Sequence, residues 1–443
     1  MFNIFRETRK APLRIGAVAL AVGMAAATLT ACSGQKEVTV LDTEAAVTIT
    51  MWTGQDDAGE KMLEELAREF EAAHKNVTIK MSPGASATED LLQKLSASFA
   101  GNSYPDVSYA FGSWASQLER SNRTLDITEQ VSDPAVKWDE FSAAARGTAQ
   151  PTGEKTIGFP AVVDDISLLY NKTVFDNAGV AYPTDEWTWD DFRTAAKQLT
   201  DPSKNIYGYG YSVSGSEETT WQFWPHLWQA GGSILSDDGT TATFDSDAGV
   251  KALTFLQDMA VTDKSVYLDQ TDDKFGQLFS NDLIGMITSG PWQLYDLGVA
   301  GTSYGVTVLP GTNGDHQTVS GPDLWTLFDH KDVNRAHWAY EFTKWLTDPA
   351  QDERWNVKLG NLPLRTSEVD SSAFKEQVAA NPGLDIMAGN LANAKNTRPT
   401  VPGYVGLSEA IAQAISQVLQ GQGNPADALK NAVEVSNKAL TEN

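Results

Sequence analysis

The residues able to do chemistry fall into four groups: five histidines, one cysteine, several adjacent acids and 13 tryptophans. The histidines (His74, His226, His316, His330 and His337) are scattered and make no HExxH pair, and one cysteine cannot build a zinc site. No metal or other cofactor is therefore expected. The acid-rich run 235–247 (LSDDGTTATFDSD) misses the EF-hand spacing, and Asp238-Gly239 between apolar runs reads as a hairpin turn. No GxSxG elbow, SxxK, phosphate-binding GxxxxGK[ST] or strand-following GxGxxG occurs, so neither a nucleophile nor a nucleotide site announces itself. Acid pairs stand at 56–57, 164–165, 190–191, 237–238 and 272–273. Sequence neighbours point apart on a strand or helix, so adjacency alone makes no glycosidase pair.

The tryptophans carry more information. Trp221, Trp224 and Trp228 share the stretch WQFWPHLWQAGG, Trp292 ends SGPW, and Trp114, Trp325 and Tyr404 sit in or near expected loops. A sugar has an apolar C–H face and a rim of hydroxyls. Holding one takes flat, rigid aromatic surface for the face and Asp, Asn or Arg for the rim. An isolated tryptophan is by default core, and Trp187, Trp189, Trp338 and Trp345, beside helical positions with apolar neighbours, are assigned there.

Cys32 lies at the end of a targeting pattern. Arg6, Arg9, Lys10 and Arg14 form a basic start, and an apolar run over 15–29 has the length of a signal h-region. The run closes on Leu29-Thr30-Ala31-Cys32, which resembles a bacterial lipobox, so residues 1–31 read as a lipoprotein signal peptide and Cys32 as the lipid-attachment residue. An incidental cysteine behind an ordinary secretory signal is the competing reading. An unpaired cysteine is unusual in an exported protein, and this one stands where a lipobox needs it. Residues 32–46 then form a lipid-anchored tether, placing the protein on the extracytoplasmic face of the cell membrane. A formal net charge of −25 repels nucleic acid and anionic lipid, so no nucleic-acid partner is expected.

These residues must be positioned by an α/β framework. The run 47–52 (VTITMW) alternates as a strand, and 60–74 places Leu63, Leu66, Phe70 and Ala73 on one helical face. Further strands are expected at 77–81, from 105, and at 283–287, 304–309 and 324–328. Helices are expected at 88–100, from Thr188 as N-cap, and over 334–346, 350–358, 407–419 and 425–440. Strands separated by helices imply parallel β-α-β units.

Residues 160–179 (PAVVDDISLLYNKTVFDNAG) resemble the signature of the family 1 bacterial extracellular solute-binding proteins, the carbohydrate receptors of ABC importers. PDV at 105–107, WTWDDF at 187–192, QAGG at 229–232, SGPW at 289–292, YGVTVLP at 304–310 and GNLP at 360–363 agree in order. The resemblance implies two α/β lobes joined by hinge strands with ligand between them: lobe one at 47–159 with 320–367, lobe two at 160–319 with 368–443. It implies a monomeric, non-catalytic receptor that closes on a mono- or oligosaccharide and delivers it to permease subunits. By likeness to maltose-binding members, the implied ligand contacts are Asp56, Asp164, Trp221 and Trp292, with Trp224 in the same tryptophan stretch. Ser113 and Trp114 stand where those members carry an acid and an arginine, and Arg398 and Tyr404 are assigned to the C-terminal wall. Two alternatives stay open. An extracellular glycoside hydrolase would need two carboxylates about 5–10 Å apart, for which Asp56 and Asp164 are the nominees. A receptor for another solute, such as a polyamine, would also combine acids with aromatics.

Overall fold

Hydrophobic alternation becomes strand wherever the sequence places β-branched runs between turns. The computed structural model describes residues 37–442 apart from 56, 86–89 and 273, so Cys32 and Asp56 lie outside the described residues. Its strands are β1 (Val47–Trp52), β2 (Val77–Ser82), β3 (Val107–Ala110), β4 (Gly158–Val162), β5 (Ser167–Asn171) and β6 (Tyr207–Ser212). They continue as β7 (Val266–Asp269), β8 (Ile284–Ser289), β9 (Tyr304–Thr307), β10 (Val319–Ser320), β11 (Asp323–Leu327) and β12 (Asn396–Thr397). One five-stranded sheet runs in the order β2-β1-β3-β11-β4 and a second in the order β7-β6-β8-β5-β9, while β10 and β12 pair on their own.

The expectation of parallel pairing holds in part. β1 is parallel to β2 and β3, and β6 to β7 and β8. β11 is antiparallel to both its neighbours, and so is β5. The reason is connectivity: each follows within a few residues of a strand outside its own sheet. No helical crossover turns the chain round, as parallel pairing would require. The short segment 163–166 links β4 of the first sheet to β5 of the second, and 321–322 links β10 to β11. A third passage follows the helix Pro349–Leu359. Bridges Val163↔Leu362 and Asp165↔Ser320 hold the passages side by side.

Each sheet has its own core. Ile49, Leu66, Phe70, Val107, Phe159 and Phe342 bury against the first sheet. Leu168, Phe192, Tyr209, Phe223, Trp224 and Ile411 are in the main core of the second. The tryptophans assigned to packing are there: Trp189 and Trp338 are buried, with Trp187 and Trp345 half-buried against the same clusters. Trp325, expected near a loop but also within the strand 324–328, lies inside β11, and its ring packs into the first core.

The family motifs resolve into structural work. Asn171 caps the helix Lys172–Ala178 by accepting from Val174 N–H at 3.0 Å, and its amide donates to Phe279 O and Asp282 at 2.8 Å. Asp106 of PDV accepts from Arg335 Nε and Nη2, both at 2.8 Å, tying β3 to the helix Val333–Leu346. Thr188 and Asp191 form a reciprocal capping box at the start of the helix Trp189–Leu199. Asp238 and Gly239 form the expected turn, closed by the bridge Leu235↔Ala242.

Candidate binding site

The three passages are where backbone from both halves meets, and side chains gather there. Asp164 sits on the first passage, Gly321 and Asp323 on the second at the start of β11, and Arg398 just beyond β12. The helix Glu217–Gln229, packed in the second core, contributes Glu217 and Trp221. Tyr404 opens the helix Tyr404–Leu419. From the first half come Tyr109 at the end of β3 and Gly112 in the short turn after it.

Arg398 is the hub. Its Nη1 donates to Glu217 Oε1 at 3.3 Å, and its Nη2 to Asp323 Oδ1 and Gly321 O, each at 3.3 Å. The guanidinium lies 4.4 Å from the Trp221 ring centroid, cation–π range, and 5.9 Å from that of Phe111. Asp323 also accepts from the Tyr109 hydroxyl and, at 2.9 Å, from Gly112 N–H. Glu217 accepts from the Tyr404 hydroxyl at 3.0 Å and from Ser408, and Trp224 Nε1 donates to Tyr404 at 3.1 Å. Backbone must come close: a Cβ on Gly321 would stand 2.4 Å from Arg398 Nη2 and 2.5 Å from Trp221 Cη2.

Burial sets the electrostatics. It works against the Arg398 charge, but Glu217 and Asp323 more than offset it and hold the guanidinium protonated. Burial, reinforced by the Asp323 charge, pushes Asp164 up to about 8, so at neutral pH it holds a proton. Asp323 is raised by burial, with Arg398 pulling the other way. Asp165 is raised by burial and by Asp164. Hydroxyl, carboxyl, carboxylate and guanidinium groups thus share one small region floored by indole. That is an inventory for hydrogen-bonding a polar small molecule.

The structure brings Asp164, Trp221, Arg398 and Tyr404 together from the residues singled out in the sequence. Trp224 has no exposed surface and serves from the core by fixing the Tyr404 hydroxyl. Ser113 and Trp114 are buried in the turn after β3, with the Trp114 ring 4.7 Å from Phe111 in the first core. The Trp292 ring folds back over Gly290, partly buried against the second core. One face of Trp221 carries the Arg398 guanidinium, so that face is a platform for the arginine. Glu217, Asp323 and Tyr109 were missed. Glu217 and Glu218 are acids in the first turn of a helix, a common place for acids, and only the Gly-Pro turn before Asp323 marks it out.

Comparison with known proteins assigns the class. Residues 65–383 match the model of the bacterial extracellular solute-binding proteins, and the chain belongs to that family. It shares 25% identity with the cyclic α-maltosyl-1,6-maltose binding protein of Arthrobacter globiformis, covering 90% of this chain and 100% of that one with a TM-score of 0.76. An ABC transporter solute-binding protein of Thermotoga lettingae, solved with α-D-tagatose, is 25% identical over 89% of this chain and 99% of its own, with a TM-score of 0.78. The sn-glycerol-3-phosphate-binding periplasmic protein UgpB of Escherichia coli is 23% identical, covering 97% of this chain and 98% of its own. The family is one of extracellular binding proteins of transport systems. Among the described residues no helix is long and apolar enough to cross a membrane.

Proposed function

We propose that this chain is the substrate-binding lipoprotein of an ABC importer, capturing a mono- or oligosaccharide outside the membrane and delivering it to permease subunits without chemical change. The observation that carries the reading is the Arg398 cluster. It draws Glu217 and Trp221 from one half of the molecule, Asp323 and Tyr109 from the other, and Asp164 from a strand between them. A solute seated there touches both halves, so it favours the closed form over the open one by the contacts made only on closure. The moving bodies are 47–159 with 320–367 and 160–319 with 368–443. The resemblance to two sugar receptors at 25% identity supports carbohydrate as the cargo.

Cys32, acylated and made N-terminal by signal cleavage, anchors the monomer through residues 32–46. Labelling with a radioactive fatty acid, followed by mass spectrometry of the N-terminal peptide, checks this; a Cys32→Ser chain that stays membrane-bound would remove the anchor. The cargo is tested by thermal-shift screening of the chain from Ser33 against mono- and disaccharides, because binding to the native state alone raises the melting temperature. No shift with any carbohydrate would sink the reading. Steady release of reducing ends from oligosaccharides would replace it with a hydrolase.

A further inference from the structure

The site holds more acid than base. Asp164, Asp165 and Asp323 are all more than nine-tenths buried. Among the described side chains the cation paired within the cluster is Arg398, and it is already committed to Glu217 and Asp323. The remaining two acids have no such partner. Asp164 Oδ1 and Asp165 Oδ2 are each buried without a hydrogen-bond partner, and Asp165 otherwise receives only long contacts from Ser167 at 3.4 Å and Asn390 at 3.5 Å. Asp164 is faced by Asp323, Arg398, Glu218 and Tyr109 and adjoined by Asp165, so among the described groups that act on it most strongly Arg398 alone is positive. A buried carboxylate without a counter-charge is costly, and it resolves that cost by holding a proton or by receiving a cation.

The charge excess discriminates among solutes. A phosphorylated solute would bring further negative charge to carboxylates whose nearby guanidinium is taken. A neutral polyol would leave Asp164 holding its proton. A protonated amine would supply the missing charge and donate to the vacant oxygen. We infer that the solute is a polyhydroxylated amine, an amino sugar or amine-bearing glycoside, whose ammonium group sits against Asp164. This rests on the carbohydrate reading and narrows it. Binding would then exchange a proton for the ligand's charge: the amine arrives protonated, and Asp164 releases its proton to solvent.

Isothermal calorimetry on the chain from Ser33 tests this with twins of one frame: cellobiose, the chitosan disaccharide that carries amines in place of two hydroxyls, and cellobiose 6-phosphate. Trehalosamine against trehalose gives a second amine–hydroxyl pair in an α-linked frame. In at least one frame the amine member should bind at least about ten-fold tighter than its hydroxyl twin. Titration at pH 6.5 in two buffers of different ionisation enthalpy should show proton release for the amine and none for the twin. Asp164→Asn should cut the amine-to-hydroxyl affinity ratio about ten-fold or more, while the proton measurement on the unaltered chain keeps the test independent of how that variant folds. Hydroxyl twins binding as tightly as the amines, or without any difference in proton release, would overturn the inference and leave the carbohydrate reading standing. The phosphate member binding tightest would overturn the inference through its charge argument. Failure of every probe to bind, together with no shift in the wider carbohydrate screen, would sink the carbohydrate reading and this one with it.

Discussion

Replacing Arg398 with methionine keeps an unbranched stem against Trp221 and deletes the charge. The guanidinium approaches Glu217 and Asp323 at 3.3 Å each. At an effective dielectric constant of about 20, each contact is worth about 5 kcal/mol of gross Coulomb energy. The desolvation of arginine, several kcal/mol, offsets much of that sum. What dominates the variant is the charge left behind, since Asp323 is buried beside Asp164 and retains only the Tyr109 hydroxyl and Gly112 N–H. Breaking a buried pair in this way costs about 3–5 kcal/mol. The pH dependence follows from Asp323, whose pKa is already raised by burial against the pull of Arg398. Losing that pull raises it further. A carboxyl held above its unfolded value stabilises the fold while protonated and loses that contribution as pH rises through its folded pKa. The deficit of Arg398→Met should therefore be small near pH 5 and grow toward pH 8. Urea unfolding followed by tryptophan fluorescence at several pH values measures it, and adding Asp323→Asn should recover part of the loss at pH 8. A deficit below about 1 kcal/mol, or one independent of pH, would show that Arg398 does not neutralise buried acids, and the account of the cluster would fail.

Four further perturbations have defined outcomes. Trp292→Ala should weaken binding of the best sugar from a thermal-shift screen by about 1–3 kcal/mol, through lost ring burial and stacking; an unchanged dissociation constant in calorimetry takes Trp292 out of the site. Gly321→Ala forces a methyl into the space of Arg398 and Trp221, so binding should drop at least about ten-fold while far-ultraviolet circular dichroism stays native, about 1.4 kcal/mol or more in affinity. His226, packed 4.0 Å from the Trp189 ring, has its pKa lowered to about 3 by burial. A depressed pKa gives stability that is present above the unfolded value and lost as pH falls, so below about pH 6 the protein should lose about 1.4 kcal/mol per unit that His226→Gln does not; parallel melting curves for the two would refute this. Glu368, raised to about 11 by burial and by Asp352, has the opposite sign: from pH 5 to 8 the protein should lose up to about 1.4 kcal/mol per unit relative to Glu368→Gln, and equal slopes in denaturant titrations would contradict it.

What could be read in advance divides along a physical line. Local interactions leave local marks, so β1 appears over the residues whose alternation announced it, and Thr188 caps the helix it was expected to cap. The reversal of β5 and β11 leaves no such mark, because orientation depends on where the preceding strand lies and not on the strand's own residues. Trp325 shows the same limit: its strand is expected at 324–328, yet only pairing with β3 and β4 shows that its ring is core and not part of a loop surface. The site behaves likewise. Asp164 and Trp221 could be picked out through motif likeness, whereas Glu217 and Asp323 stand more than 100 residues apart and meet only because Arg398 reaches both. Charge pairing over that distance has no sequence period. The excess of buried acid over base becomes visible only once burial is known.

The position of Arg398 bears on how a solute could drive closure. It bonds Glu217, rooted in the second core, and Asp323, at the head of a strand in the first sheet, from its place just beyond β12. On the proposed hinge motion, separating those two anchor points would strain or break one of the contacts, and the cluster would then favour the closed arrangement before any ligand arrives. Taking an open form from 1:99 to 99:1 in favour of the closed one needs about 5.5 kcal/mol of differential binding. A solute that also contacts Asp164 contributes to that difference on the same strands, so ligand capture and closure would draw on one set of charges. Arg398→Met separates the two roles. It should weaken ligand affinity by more than any loss of direct contact explains, and it should shift unliganded molecules toward a larger radius of gyration in solution scattering. An unliganded radius identical to that of the parent would show that the arginine does not bias closure.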